Sequence, residues 1–203
     1  MRADVQLSTQ FLQVQDRHQV HVLVTVAGEM PVSRAPINVA LVLDRSGSMD
    51  GSPLEAAKAA AERFAECLGP GDRLAVVNSD DDVKTLFSGP GGGPDARDLI
   101  RAIRTGGSTN LSGGWLEGRK LVVEGKLEGT NRVVLFTDGQ ANRGITEPAR
   151  LAGLAGGTSR DGVSTSCLGF GPGFNEELLR GMADGLAGRV WGEDILALWT
   201  RSD

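Results

Sequence analysis

Asp44-Arg45-Ser46-Gly47-Ser48 sets a carboxylate and two hydroxyls at alternate positions of one short segment. Farther along, Thr109 stands in the glycine-rich run Gly106-Gly107-Ser108-Thr109-Asn110, and Asp138 stands before Gly139. Together Asp44, Ser46, Ser48, Thr109 and Asp138 offer two carboxylates and three hydroxyls, all oxygen. That inventory suits a hard divalent cation. Magnesium takes oxygen ligands in near-octahedral geometry and usually keeps some water, and manganese accepts the same donors. Two carboxylates balance much of the ionic charge, while neutral hydroxyls leave the ion electron-poor. An open coordination position then attracts an anionic oxygen from outside, for which a partner's Asp or Glu is the natural candidate. Each piece alone is weak: Asp-x-Ser-x-Ser and Asp-Gly are common turns, and a lone Thr is most often a helix cap or loop residue. The weight lies in the joint pattern.

The joint pattern needs elements that bring its pieces together. Ile37 to Leu43 is nearly all apolar, as in a strand buried on both faces of a parallel sheet. The Asp44 loop follows it. Ser52, Pro53 and Glu55 mark a helix start with Ser52 as the cap, and Gly69-Pro70-Gly71 ends that helix. Strands are expected at Leu74–Val77 and Val83–Phe87, and a helix over Asp95–Arg104. A helix over Leu111–Glu124 is expected despite three glycines. The Val133–Phe136 strand runs into Thr137-Asp138-Gly139, followed by a helix near Glu147–Leu154, a strand over Val163–Phe170 and a helix over Asn175–Leu186. Val190-Trp191 reads as an edge strand and Ile195–Trp199 as a terminal helical turn. The result is an α/β fold, a doubly wound, mainly parallel sheet flanked by helices. In such sheets ligands bind beyond the carboxyl ends of the strands, where the oxygen clusters fall. At the start, a strand from Val5 to Val14 and alternating Val20, Val22, Val24 and Val26 predict an antiparallel hairpin turning at Asp16-Arg17-His18. We read residues 1–36 as this extension and 37–203 as the core of a single domain.

Composition narrows the function classes. The chain has 203 residues and a net charge of −5, from 21 Lys and Arg against 26 Asp and Glu. That balance argues against nucleic acid or an anionic membrane surface as the main partner. No stretch approaches the apolar length of a membrane span, and Met1 to Gln10 lacks a signal-peptide run. Cys67 and Cys167 sit in apolar stretches and read as buried reduced thiols, without a disulfide framework. A cytoplasmic location follows as the expectation. Trp115, Trp191 and Trp199 read as core or edge packing.

The run Asp44-Arg45-Ser46-Gly47-Ser48, with Thr109 and Asp138-Gly139, resembles the metal-ion-dependent adhesion site of von Willebrand factor A-like domains, over roughly residues 37–190. The resemblance implies a Rossmann-like fold. It also implies that Ser46, Ser48 and Thr109 supply hydroxyls to Mg2+ or Mn2+, while Asp44 and Asp138 act directly or through water. The leading hairpin resembles an extension seen in bacterial and inter-alpha-trypsin-inhibitor-like members. For a bacterial member the resemblance implies a partner such as a MoxR-type AAA+ ATPase, a chelatase or a larger scaffold. Arg45 and Arg143 flank the proposed site and are candidates for steering an acidic partner. Val76-Val77-Asn78-Ser79 departs from the family pattern, in which an aromatic residue usually ends this strand. Asp80-Asp81-Asp82 invites a second cation site but reads more simply as a solvated acidic turn.

Rival readings are an Mg-dependent phosphoryl-transfer or hydrolytic enzyme using the Asp44 crevice, and a structural subunit that binds without metal. Ser46 and Ser48 lack a Gly-x-Ser-x-Gly elbow, and the glycine runs lack a Gly-Lys-Ser/Thr ending. His18 and His21, three apart on a strand, point to opposite faces. No base or nucleophile meets the usual geometry, so the expectation is a binding domain without catalysis.

Overall fold

The computed structural model describes residues 2–7, 22–27, 34–91, 93–157, 161–183 and 190–191. They fall into two compact units, Met1–Arg34 and Ala35–Asp203. In the first, β1 (Arg2–Leu7) pairs antiparallel with β2 (Val22–Ala27), Val5 opposite Val24. The expected hairpin turn, His18 and His21 lie outside the described residues.

The second unit is built on a six-stranded sheet of order β5-β4-β3-β6-β7-β8. Its strands are β3 (Ile37–Asp44), β4 (Arg73–Ser79), β5 (Val83–Pro90), β6 (Thr130–Thr137), β7 (Ser164–Gly169) and β8 (Val190–Trp191). All neighbours run parallel except β4 and β5, which form an antiparallel pair with an irregularity at Val76/Val77. Strand alternation sorts the apolar residues into two layers. Val39, Leu41 and Leu43 face α1 (Ser52–Glu66) and α2 (Pro94–Arg101), packing with Leu54, Ala57, Ala61 and Ile100. Ala40 and Val42 face the other side, with Leu111, Trp115 and Val122 of α3 (Leu111–Glu124). Leu151 of α4 (Pro148–Gly157) and Leu178, Leu179 and Met182 of α5 (Glu176–Ala183) complete that layer. The expected doubly wound fold is therefore the observed one. The helical turn expected at Ile195–Trp199 lies outside the described residues.

Some local expectations are corrected. The cap of α1 is Gly51, at φ 76°, and not Ser52, which is already helical and makes no capping bond. A positive φ favours glycine there. Cys67 is exposed just past α1, whereas Cys167 on β7 is buried, and both are free thiols. Burial pushes the Cys167 thiol up to about 12. Trp115 is 1% exposed, and its indole N–H donates to Thr165 Oγ1 at 3.0 Å. The glycines of α3 have a packing reason. A Cβ at Gly118 would lie 2.6 Å from Val42 Cγ2, and one at Gly114 would lie 2.7 Å from Ser79 Oγ, so α3 seats directly on the sheet. Ser79, the departure noted at the end of β4, is thus a buried contact under α3, where a small side chain fits.

Candidate metal centre

β3 and β6 are adjacent and parallel, with Leu43 in register with Phe136, so the residues that follow them emerge side by side at the carboxyl edge. Asp44 ends β3 and is 2% exposed. One carboxylate oxygen accepts the Ser46 backbone N–H at 2.9 Å, which bends the loop, and the other accepts the Thr137 hydroxyl at 2.6 Å. Thr137 Oγ1 in turn accepts the Gly139 N–H at 3.0 Å. Thr137, wholly buried, therefore ties Asp44 to the turn that carries Asp138. Gly139 adopts φ +73°, where a Cβ would sit 3.1 Å from that of Asn175, so both conformation and space call for glycine. Asp138 Oδ1 accepts the Gln140 N–H at 2.9 Å.

Ser46 and Ser48 bring their hydroxyl oxygens within 3.2 Å of each other on a short 3-10 turn, with Ser46 buried and Ser48 exposed. Thr109 arrives from the loop between α2 and α3. The Gly47 N–H donates to Gly107 O at 2.8 Å and the Gly106 N–H to Arg45 O at 2.6 Å, lacing this loop to the Ser46 loop. Capping of α3 falls to Asn110, whose side chain accepts the Gly113 N–H. Thr109 is thereby released from the capping role, and its hydroxyl oxygen is buried without a hydrogen-bond partner. Such a group costs about 1–3 kcal/mol when left unsatisfied. Asn142 holds Thr109 from both sides: its Oδ1 accepts the Thr109 N–H at 2.8 Å, and its N–H donates to Thr109 O at 3.2 Å.

Ser46, Ser48, Thr109 and Asp138 line one crevice of about 540 Å3, together with Gln140, Asn142 and the loop from Phe170 to Phe174. Asp44 lies beneath it. Burial raises the Asp44 carboxyl above its ordinary range and the charge of Asp138 adds to this, against the lowering by hydrogen bonds from Thr137 and Ser46. A buried carboxylate near a second one is relieved by a cation. Among the described residues no group of three or more His, Cys, Asp or Glu could hold a metal. The donor set here is a different kind, two carboxylates with hydroxyls, which suits Mg2+ or Mn2+.

Arg45 and Arg143 do not line this crevice. Arg45 pairs with Asp80 at 2.7 Å and Arg143 with Asp81 at 2.8 Å. Hydrogen bonding from Ser108, and then from Arg143, lowers the Asp81 carboxyl. The reading of Asp80-Asp81-Asp82 as a solvated turn is corrected at Asp80, which is 5% exposed and also accepts the Gly107 N–H at 3.3 Å. With guanidinium partners on Asp80 and Asp81, this acidic turn braces the Thr109 loop, and two of its three charges are paired. Thr137 and Asn142 were not singled out from the sequence, because their partners lie 93 and 33 positions away.

Three comparisons bear on this geometry. The family model for the von Willebrand factor type A domain matches residues 38–190. An uncharacterized protein of Synechocystis is 30% identical over 176 residues, covering 86% of this chain and 41% of the relative. Human inter-alpha-trypsin inhibitor heavy chain H3 is 31% identical over 170 residues, 77% of this chain and 19% of that one. The chain thus spans less than half the length of these curated relatives. Among solved structures, a von Willebrand factor type A protein from Catenulispora acidiphila superposes with TM-score 0.68 at 23% identity, over 90% of this chain and 43% of that one. Proximal thread matrix protein 1 of the mussel byssus, with a zinc-occupied MIDAS motif, does so with TM-score 0.63 at 25% identity, over 81% and 44%.

Proposed function

Since the chain belongs to the von Willebrand factor type A domain family, whose members generally serve protein–protein interaction and adhesion, we propose that it is a divalent-metal-dependent protein-binding domain. Ser46, Ser48, Thr109 and Asp138 hold Mg2+ or Mn2+ in the crevice, and Asp44 supports the charge from below, directly or through water. The observation that carries this reading is the Thr109 hydroxyl, buried at the crevice with no hydrogen-bond partner. A cation among these oxygens would satisfy it and offset the burial of Asp44. The zinc-occupied motif of the mussel protein lends support by analogy.

The metal supplies a Lewis-acidic position that an outside carboxylate can fill. The chain does the rest. Thr137 and the Ser46 N–H fix the Asp44 carboxylate, Asn142 fixes Thr109, and Gly139 places Asp138. The partner presents an Asp or Glu, and a MoxR-type AAA+ ATPase or a larger scaffold fits that role. We read the domain as non-catalytic: among the described residues the crevice lining holds no His or Lys that could activate Ser46 or Ser48 as a nucleophile. Arg45 and Arg143 are left a minor, long-range steering role, offset by Asp80 and Asp81. An association rate unchanged by Arg143→Glu would remove even that. No helix among the described residues is long and apolar enough to cross a membrane.

The test is capture from native lysate by wild type in Mg2+, wild type in chelator, and Asp44→Ala in Mg2+. A protein retained only in the first arm supports metal-bridged recognition. Equal recovery in all three arms rejects it and favours binding without metal.

A further inference from the structure

The crevice lining is not all oxygen. Pro53, Pro172 and Phe174 contribute apolar surface to it, with the backbone of Gly171 and Gly173 between. Pro172 and Gly173 are exposed, while Pro53 and Phe174 are half-buried. Among the described residues, Asp138 is the one charged side chain in that lining, and no Lys, Arg or His joins it. A polyanion such as a nucleotide would meet no basic side chain among these residues, although such ligands are usually held by several. The lining suits a ligand with one anionic group and an apolar body.

This apolar wall is fastened to the oxygen cluster. The Asn175 N–H donates to Asp138 O at 2.7 Å, and Gln140 Nε2 donates to Gly173 O at 3.1 Å. Gly169 has no side chain where the Phe174 ring packs. The turn that places Asp138 therefore also places the wall. At about 540 Å3 the crevice is much larger than a carboxylate and falls in the range that buries whole ligand bodies. The amide side chains of Gln140 and Asn142 border it and suit a peptide backbone, which both donates and accepts.

From this we infer that the crevice recognises a partner-protein segment in which an Asp or Glu stands beside a bulky apolar residue. The carboxylate goes to the metal position and the apolar neighbour goes against Pro53, Pro172 and Phe174. The assignment rests on the metal-dependent reading above.

Selection of a random linear peptide library on the immobilised full chain in Mn2+, with release by chelator, tests it. Enriched peptides should carry Asp or Glu within two positions of Leu, Ile, Phe, Met or Val. The best of them should bind Pro172→Asp at least about tenfold more weakly, while electron paramagnetic resonance shows Mn2+ still bound to that variant. Acid enrichment without an apolar neighbour, or undiminished binding to Pro172→Asp, overturns the inference and leaves the metal reading standing. Peptides that stay bound through the chelator step, elute only in denaturant and bind Asp44→Ala equally well overturn the metal reading. Displacement of the peptide by hexanoate at equal concentration overturns the choice of a peptide over a small carboxylate. No enrichment on a chain that binds Mn2+ overturns the inference alone.

Discussion

At the scale of single residues, the site is defined by what is left unsatisfied. Thr109 is 1% exposed and its hydroxyl has no partner, although its backbone N–H and carbonyl are both bonded to Asn142. Thr109→Val keeps the shape and removes the orphan oxygen. We expect the metal-free protein to be at least as stable, by up to about 1 kcal/mol, and Mn2+ affinity to fall about tenfold or more. Chemical denaturation in chelator together with Mn2+ titration checks both halves, and an unchanged affinity would remove Thr109 from the ligand set. Cys167 gives a second residue-scale prediction. Its folded value, about 12, lies above its ordinary 9.0 because of burial. Above 9.0 the unfolded chain has released this proton and the folded chain has not, so stability is full below that pH and falls as pH rises toward about 12. The slope is about 1.4 kcal/mol per unit for one such proton. Urea midpoints on either side of pH 9.0 should show the decline in wild type and a shallower one in Cys167→Ala. Parallel curves would contradict it.

At the scale of elements, two helical glycines separate packing from propensity. Gly153 in α4 has open space around its would-be Cβ, whereas Gly118 in α3 would place one 2.6 Å from Val42. Alanine is the better helix former by about 1 kcal/mol. Gly153→Ala should therefore stabilise by roughly that amount, and Gly118→Ala should destabilise by about 1–3 kcal/mol through overpacking against β3. Denaturation of the two variants decides this, and equal effects would mean that α3 does not press on the sheet. The seating matters for the site because α3 begins immediately after Asn110 and carries the Thr109 loop with it. The loops themselves are held by bonds between elements, with Gly47 to Gly107, Arg45 to Asp80 and Asn142 to Thr109 among them. Loss of one such bond should loosen a ligand without unfolding the sheet.

At the scale of the whole molecule, a ligand that binds only the folded chain stabilises it by mass action. Mg2+ or Mn2+ at a hundred times its dissociation constant should add about 2.7 kcal/mol. Chelator or Asp44→Ala should abolish the gain, read as the metal-dependent shift in Tm. A shift that survives Asp44→Ala would place the cation elsewhere. The two apolar layers on either face of the sheet make the second unit a rigid base for this edge, so the stabilisation is expected to be global and not confined to loops.

Much of this was legible in the order of residues. Short continuous apolar runs respond to burial on both faces of a sheet, so Ile37–Leu43 and Val133–Phe136 announced strands, and Leu111–Glu124 read as a helix despite its three glycines. The oxygen-bearing residues Asp44, Ser46, Ser48, Thr109 and Asp138 were readable as a set because each follows or precedes such an element. Short-range chemistry was less secure. Gly51 displaced Ser52 as a cap because positive φ was needed, and Cys67 proved exposed because α1 ends just before it. What only the tertiary structure decided were pairings between distant positions. It buries Asp80 under Arg45, makes Thr137 the link between two strands, and gives Thr109 a hydroxyl with nowhere to bond. It also sets an apolar wall beside the oxygens. Local sequence encodes conformation and burial tendency, whereas the partner of a polar atom is chosen by the packing of elements far apart in the chain, and the chemistry of the crevice depends on those partners.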